Sequence, residues 1–404
     1  MASFEVRRLP KVPALALMLV AAPSTAFSQL DSLQHADEVL VSLAETIEET
    51  REQNGVHSPE LIGPTKALAL YYEEHEDHAL AIAAIEQVRQ LIRVNYGLYS
   101  LEEAPLLQQW IHAERARGND AGAWDVEQRL LKLVRRNAND LRTVPILREL
   151  AQRRLDILAR YIRGEFPPEI VLGCYYSAPE AGDCRAGSRG RVKDALLREA
   201  ISYYSQAINT ILRTEGLTND ELPDLLMEVA RISYEHGRPS IGRKSLRFLL
   251  SYSVENRAPR SMQTDALLQI ADWDLLFAPD HTIAKSAIAL YEHAYAELAR
   301  VGTERRAIER LFSPDVPVVL PAFLPNPLVS KETRESTGFI DVEFDITRGG
   351  ESEDIEVLDT TTGASDAAKE RLVDLIDDSR FRPIVTNGHV EDAARVALRY
   401  YLRD

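Results

Sequence analysis

The sequence of 404 residues predicts a mainly α protein in which a solenoid of helical hairpins precedes a small α+β domain. Three observations carry this prediction. Apolar residues recur at helical spacing through residues 31–302. Within that range, two hairpin-like segments repeat at a period of about 42 residues. The last part of the chain instead alternates apolar and acidic residues, as a half-buried strand does, and its elements follow the order β-β-α-β.

Residues 1–28 resemble a secretory signal peptide. Arg7, Arg8 and Lys11 precede an apolar run at 12–22, and small residues follow it. The apolar run is about half of the ~20 residues that span a bilayer, so we expect cleavage and export. The alternative is a segment that stays in the inner membrane as an anchor.

The helical periodicity predicts a single helix at 31–53, followed by hairpins. The paired segments are 59–74 with 77–93, 103–117 with 120–136, 140–163 with 191–213, 220–236 with 240–253, and 263–277 with 282–300. Shifting the second pair back by about 42 residues aligns Leu68 with Trp110 and Val88 with Leu130. This pattern resembles degenerate tetratricopeptide repeats (TPR) over residues 31–302. The resemblance implies stacked hairpins with a concave surface that binds segments of other proteins.

The predicted loop insertion at 164–190 contains Cys174 and Cys184. In an exported protein, two cysteines so close in sequence predict a structural disulfide. Closing a loop of this length would stabilise the fold by about 2–3 kcal/mol. A metal site would need more ligands, and the C-x-x-C spacing of redox pairs is absent.

The high proline content of residues 303–332 predicts a linker. Five prolines between 314 and 327 disfavour a helix and favour an extended, fairly stiff spacer. Residues 318–320 are apolar, and we expect them either to add an edge strand or to pack on the last hairpin.

The C-terminal elements follow from local patterns in residues 338–404. We predict strands at 339–346 and 355–358, a hairpin turn at 348–350, a helix at 367–376, an extended segment at 380–383, a turn at Asn387-Gly388 and a last strand at 396–401. Residues 331–404 hold 18 Asp and Glu against 10 Lys and Arg, so this part repels phosphate backbones and disfavours nucleic-acid binding.

Residues 333–404 resemble the TonB C-terminal domain. The main motif residues are Gly338, Phe344, Phe381, Pro383, Asn387 and Gly388, and Gly349, Gly350, Gly363, Ala367 and Ala368 also fit the pattern. The resemblance implies that an extended peptide adds to a sheet edge, where backbone groups supply the affinity. The implied edge is the last strand, Arg395, Val396, Ala397, Leu398, Arg399, Tyr400 and Tyr401. The alternative is an unrelated small α+β domain.

No sequence pattern predicts catalysis, a cofactor or a small-molecule substrate. The cluster from Glu74 to His78 offers two imidazoles and three carboxylates, but the repeat alignment places it in a turn, so we predict no metal site. Serine, metal-dependent and cysteine catalytic motifs are missing from the sequence. We therefore expect a protein that is not an enzyme.

Together these features predict a periplasmic adaptor or scaffold that binds protein or peptide segments and is linked to envelope transport. Its partners would be outer-membrane transporters or other envelope proteins, and it would meet the membrane only through them. One alternative is a membrane-anchored energy transducer of the TonB type. The other is an envelope-assembly scaffold that associates with itself.

Overall fold

The computed structural model describes residues 25–165, 167, 189–277, 281–300, 302–333, 336–361 and 364–403. These residues fall into two compact units, one with the residues up to Arg136 and one with the described residues from Asn137 onward. Most of the predicted signal peptide and both cysteines, Cys174 and Cys184, lie outside the described residues. Within the described ranges, no helix combines the length and the apolar character that crossing a membrane requires.

The first unit consists of helices whose spacing confirms the predicted repeat. Its helices are α1 Thr25–Asn54, α2 Ile62–Glu74, α3 His78–Tyr96, α4 Ala104–Ala116 and α5 Asp120–Arg136. A short 3-10 turn precedes both α2 and α4, and in each case a serine hydroxyl, of Ser58 or Ser100, caps it by accepting a backbone hydrogen bond. The two hairpins therefore repeat in their caps as well as in their helices.

The second unit continues the helical hairpins. Its helices are α6 Thr143–Ile162, α7 Arg189–Thr214, α8 Leu222–Glu235, α9 Pro239–Glu255, α10 Arg260–Leu276 and α11 His281–Arg300. They pack as the hairpins α6 with α7, α8 with α9 and α10 with α11. Small residues such as Ala230 and Ala271 are fully buried where helices meet. The predicted succession of hairpins is confirmed for these residues.

A small antiparallel sheet closes the second unit. Its strands are β1 Ser336–Thr347, β2 Ser352–Thr360 and β5 Ala393–Arg403, in the spatial order β2-β1-β5. Helix α13 Asp366–Asp377 covers one face, and a two-stranded hairpin, β3 Val385–Thr386 and β4 His389–Val390, precedes β5. The predicted order β-β-α-β is confirmed for β1, β2, α13 and β5, but β3 and β4 were not predicted as strands and β2 is longer than the strand predicted at 355–358. The buried core contains Leu328, Ile340, Val342, Phe344, Ile346, Leu372, Ile376, Phe381 and Leu398.

The segment predicted as a proline-rich spacer, 303–332, differs from that expectation. It begins with helix α12 Arg305–Phe312, and the side chain of Phe312 is buried against α11. Further along, Val319 pairs with Phe381, and the Leu320 N–H donates to the Arg380 carbonyl at 2.7 Å. Leu328 is fully buried in the core of the sheet domain. The prolines do exclude a helix from 313–332, but the segment forms turns and bends and is not an extended spacer. Apolar residues such as Leu320 and Leu328 are buried, because exposing them would cost burial energy.

The sheet domain consequently packs directly on the last helical hairpin. Val385 and Val390 of the β3–β4 hairpin join Leu320 in one buried cluster with α10 and α11 residues. The Val390 N–H also donates to the Glu292 carboxylate at 3.4 Å. The domain is therefore part of the second unit and does not project from it on a free spacer.

Candidate peptide-binding edge

Strand β5 has a single neighbour, β1, within the part of the chain that the structure describes. Its pairing is regular from Phe339 opposite Tyr401 to Thr347 opposite Ala393. A regular strand with one neighbour presents a row of backbone N–H and C=O groups on its other side. The structure thus places the predicted residues, Arg395 to Tyr401, at an edge of the sheet.

The direction of the backbone groups follows from two hydrogen bonds. Phe339 is opposite Tyr401 in the β1–β5 pair, yet it exchanges its bonds with Thr361 on the other side of β1. The Tyr401 N–H, in turn, donates to the Ser330 hydroxyl at 2.8 Å. Because pairs alternate along an antiparallel ladder, the backbone groups of Arg395, Ala397 and Arg399 also point away from β1. The side chains of these three residues are exposed.

The two faces of β5 differ in chemistry. On one face the Arg399 guanidinium donates two hydrogen bonds of 2.7 Å to Asp341 on β1, and these bonds lower the pKa of that carboxyl. Arg395 pairs with Glu343 on the same face. On the other face, Leu398 is buried in the domain core. A strand added at this edge would meet a charged ladder on one side and an apolar surface on the other.

A groove of about 650 Å³ lies on the apolar side, between α13 and the end of β5. Its walls include Ala368, Leu372 and Leu375 of α13 and Tyr400 of β5. Arg371 lies at the same groove and is the cationic side chain there. Side chains of an added strand that point to this face near Tyr400 would enter the groove, whose lining combines apolar side chains with polar ones such as Ser330 and Arg371.

Strand β2 is the other edge of this sheet, and two of its features oppose the addition of a further strand. Its pairing with β1 contains register shifts after Asp341 and after Glu343. It also exposes several acidic side chains, among them Glu353, Asp354 and Glu356. Irregular pairing and charge both oppose the addition of a further strand. Of the two edges, β5 is the one suited to binding a peptide.

The residues of the family resemblance shape the domain core and its turns. The rings of Phe344 and Phe381 are fully buried and their centroids lie 5.3 Å apart. A Cβ on Gly338 would collide with the Thr361 side chain, which would have to move and give up its hydrogen bond from the Phe339 N–H. Asn387 and Gly388 both have positive φ, as a tight two-residue hairpin turn requires. The predicted Asn-Gly turn is confirmed, and Pro383 is buried beside it.

A buried ion pair fixes the domain on the helices. The Arg382 guanidinium donates to Asp272 on α10 at 2.9 Å and 2.6 Å, and the Tyr291 hydroxyl donates to the same carboxylate at 2.8 Å. Burial opposes the charge of Arg382, but the negative charge and hydrogen bonds of Asp272 outweigh burial and raise the pKa of Arg382. The ion pair between Arg382 and Asp272 therefore forms only while the domain is docked.

The ion pair between Arg382 and Asp272 was not predicted from the sequence, although the sequence of α10 contains an indication of it. Asp272 and Asp274 interrupt an otherwise apolar stretch of α10, and both are buried. Buried carboxylates need cationic or hydrogen-bonding partners, so their presence on an apolar face predicts a second surface that covers them. Ser330 and the groove beside α13 had no comparable signal.

Alkaline pH offers a test of the buried phenol of Tyr291. Burial and the adjacent charge of Asp272 raise the pKa of Tyr291 well above its ordinary value. Below about pH 10 the phenol is protonated in both the folded and the unfolded chain, and its stabilisation is fully present. Above that pH the unfolded chain loses the proton first, so we expect the free energy of unfolding to fall as the pH rises.

Urea titrations at increasing pH should show the free energy of unfolding fall above about pH 10. In Tyr291→Phe the free energy of unfolding should fall less steeply with pH. Tyr96→Phe, which alters an exposed side chain, is the control. Equal pH dependence in wild type and Tyr291→Phe would contradict the assignment.

The acidic and histidine-rich segment from Glu74 to His78 is a turn, as predicted. His75 follows α2, and its ring stacks on Tyr71 at 4.1 Å. Asp77 caps α3 by accepting the Leu80 N–H. Among the described residues, no group of three or more His, Cys, Asp or Glu is placed to hold a metal ion.

The fold defines a helical-hairpin repeat protein with a docked α+β domain. No protein-family model and no curated protein matches the chain. Among solved structures, the chain is similar to BtubC (BKLC) from P. vanneervenii, with 13% identity over 74% of this chain and 97% of that one, and a TM-score of 0.34. It is also similar to the C-terminal part of a TPR repeat-containing protein from Cytophaga hutchinsonii, with 17% identity over 69% of this chain and 98% of that one, and a TM-score of 0.25. Likeness at this level carries no conclusion about function.

Proposed function

We propose that this chain is an exported adaptor without enzymatic activity, which binds protein segments by strand addition at β5 and along its helical hairpins. The observation that carries the proposal is the regular, one-sided pairing of β5. Backbone groups of Arg395, Ala397 and Arg399 supply hydrogen bonds to the added strand, and the groove beside α13 selects its side chains.

Export and envelope transport belong to the same proposal. The sequence of residues 1–28 supports export, and the resemblance of residues 333–404 to the TonB C-terminal domain supports a role beside outer-membrane transporters. The periplasm is then the site of action. If residues 1–28 fused to a reporter remain in the inner membrane, the anchored energy transducer replaces this part of the proposal.

The helical part of the second unit offers a separate binding surface. A groove of about 550 Å³ lies between α6 and α8, the first helices of two successive hairpins. It is lined by charges of both signs, including Asp156, Arg231 and Glu235. Mixed charge beside apolar residues such as Ile232 suits a protein segment better than a nucleic acid.

The docked position of the sheet domain decides how strand addition should be tested. A fragment ending before residue 325 would lose Leu328 and Arg382, and would leave Asp272 buried without its cation. An isolated domain would lose its contacts with α10 and α11. Point variants of the full chain are therefore the appropriate reagents.

Ala397→Pro should abolish strand addition while leaving the fold in place. Proline removes the N–H that points away from β1, and an edge strand tolerates it on that side. The ligand is a peptide selected from a random displayed library against the wild-type chain alone. We expect at least a roughly tenfold weaker affinity, or ~1.4 kcal/mol, for the proline variant. Ala397→Thr keeps the N–H and should bind as the wild type does.

Amide hydrogen exchange gives the sharper readout. On binding, the amides of Arg395, Ala397 and Arg399 should gain protection, whereas Val396 and Leu398, which already pair with β1, should change little. Uniform protection, or protection confined to the helices, would contradict strand addition. A wild-type dimer in sedimentation that Ala397→Pro converts to a monomer would instead favour the self-associating scaffold.

A further inference from the structure

The first unit contains a basic groove, which is exceptional in a chain of net charge −16. The groove has a volume of about 560 Å³ and lies between α3 and α5, the second helices of two successive hairpins. Arg89 and Arg93 of α3 and Arg129 and Lys132 of α5 contribute to its lining. It therefore lies on different helices of the hairpin from the α6–α8 groove of the second unit.

Two glutamates also line the basic groove: Glu86 is exposed, whereas Glu103 is buried and already neutralised. Glu103 is 1% exposed, and its carboxylate accepts hydrogen bonds from Arg89 at 3.3 Å and from Arg93 at 2.8 Å. Burial lowers the pKa of Arg89, and the positive charges of Arg93 and Arg129 lower it further, partly offset by Glu103. Like charges are thus crowded around this groove, which favours an added anion.

Three cations on one face of α5 keep their charge available. The Arg129 guanidinium lies 5.3 Å from the centre of the Trp110 ring, while Lys132 and Arg136 lie 5.9 Å and 5.2 Å from the Tyr99 ring. Contact with a ring orients a cation without neutralising it. Within the described ranges, none of these three side chains forms an ion pair with a carboxylate. Their exposed heads are free to meet an anionic ligand.

An apolar surface adjoins these charges. Leu98 is 56% exposed at the edge of the basic groove, beside Tyr99. Leu107 and Leu133 line it more deeply. A small inorganic anion would use only the charges, whereas a peptide with acidic and apolar side chains would use both surfaces.

We infer that the basic groove binds an extended acidic segment of a partner protein, with carboxylates at Arg129 and Lys132 in the groove and at Arg136 beside Tyr99 at its edge, and an apolar side chain against Leu98. The inference rests on the proposed protein-binding function but uses a surface other than β5. Nucleic acid is disfavoured, because a long polyanion at this site would also meet the field of a strongly negative chain.

The test uses the full chain and a short fluorescent peptide in which glutamate and aspartate alternate with leucine, followed by anisotropy. Arg136→Glu and Lys132→Glu should each weaken binding roughly tenfold, because each reverses a charge at the contact. Raising the salt concentration should weaken the wild-type complex. Arg135→Glu is the matched control: Arg135 is an exposed neighbour in the same last turn of α5, but among the described residues it is Arg136, and not Arg135, that lies over the groove residue Tyr99. It should bind as the wild type does, and circular dichroism should show all three variants equally helical.

Equal affinities for wild type, Arg136→Glu and Lys132→Glu would overturn the inference, as would an equal loss in Arg135→Glu. Tighter binding of a single-stranded oligonucleotide than of the peptide would overturn it in favour of nucleic acid. Ala397→Pro should bind the acidic peptide normally. If that variant alone loses binding, the peptide occupies β5, which refutes the groove and leaves the proposed function standing.

Discussion

Asp272→Ala should lower the free energy of unfolding of the second unit by about 3–5 kcal/mol. The substitution leaves the guanidinium of Arg382 buried without its counter-charge and removes the acceptor of the Tyr291 hydroxyl. Only 11% of the Arg382 side chain and 3% of the Asp272 side chain are exposed, so water cannot replace the lost partner in the docked state. Breaking a buried pair on one side is costly for this reason. Urea unfolding followed by circular dichroism measures the loss.

Asp274→Ala is the matched control on the same helix. Asp274 is also buried, but its partner Arg243 is 34% exposed and can be solvated once the carboxylate is gone. We therefore expect a smaller loss, and the double variant Asp272→Leu with Arg382→Met should recover much of the first loss, because no unpaired charge is left in the interior. Equal losses at Asp272 and Asp274 would show that the Arg382 pair is not a special anchor of the domain.

Gly350→Ala should cost about 3 kcal/mol or more, a large effect for a single added methyl group. Gly350 has φ +76°, which disfavours a residue with a Cβ by roughly 1–2 kcal/mol. In addition, the new Cβ would collide with the backbone carbonyl of Phe381 and lie 3.0 Å from Leu275 on α10. A backbone carbonyl cannot move aside without breaking the Phe381 N–H bond to Gly350, so the strain adds to the conformational cost.

Variants of two other glycines distinguish the cost of a positive φ from the cost of the collision. Gly388 has φ +89° but only ordinary contacts around its Cβ position, so Gly388→Ala should cost about 1 kcal/mol from backbone conformation alone. Gly349 lacks a positive φ, and a Cβ there would meet only the end of the Glu351 side chain, so Gly349→Ala should be within about 0.5 kcal/mol of wild type. Thermal unfolding of the three variants should rank them in this order. A Gly350→Ala variant as stable as Gly388→Ala would contradict the collision.

Local patterns predicted much of the fold because each of them has a local cause. The hairpin repeat could be predicted from the spacing of apolar residues. An amphipathic helix has three to four residues per turn and buries one face, so its apolar residues recur at that interval. The Asn387-Gly388 turn could be predicted because both positions need positive φ. Helix α12 was missed because a helix of one or two turns next to prolines has little periodicity of its own. Its stability comes from burying Phe312, which is a tertiary effect.

Long-range contacts were beyond the sequence patterns. Arg382 and Asp272 are 110 residues apart, and no spacing rule relates them. The same is true of Ser330 and Tyr401, whose contact occupies one end of the β5 edge. The position of β5 at the edge of the sheet agrees with what the family resemblance implied. The irregular pairing of β2 depends on register shifts that no sequence pattern predicted.

The docking of the sheet domain also determines how mechanical force passes through the second unit. A domain on a loose tether would swing into line with any pull, and only the tether would carry tension. If a partner strand binds at β5 as proposed, a pull along it would load the β1–β5 ladder in shear, and the segment around Phe381 and Arg382 connects that ladder to α10. The tension would then reach the helices through packed side chains rather than through a tether.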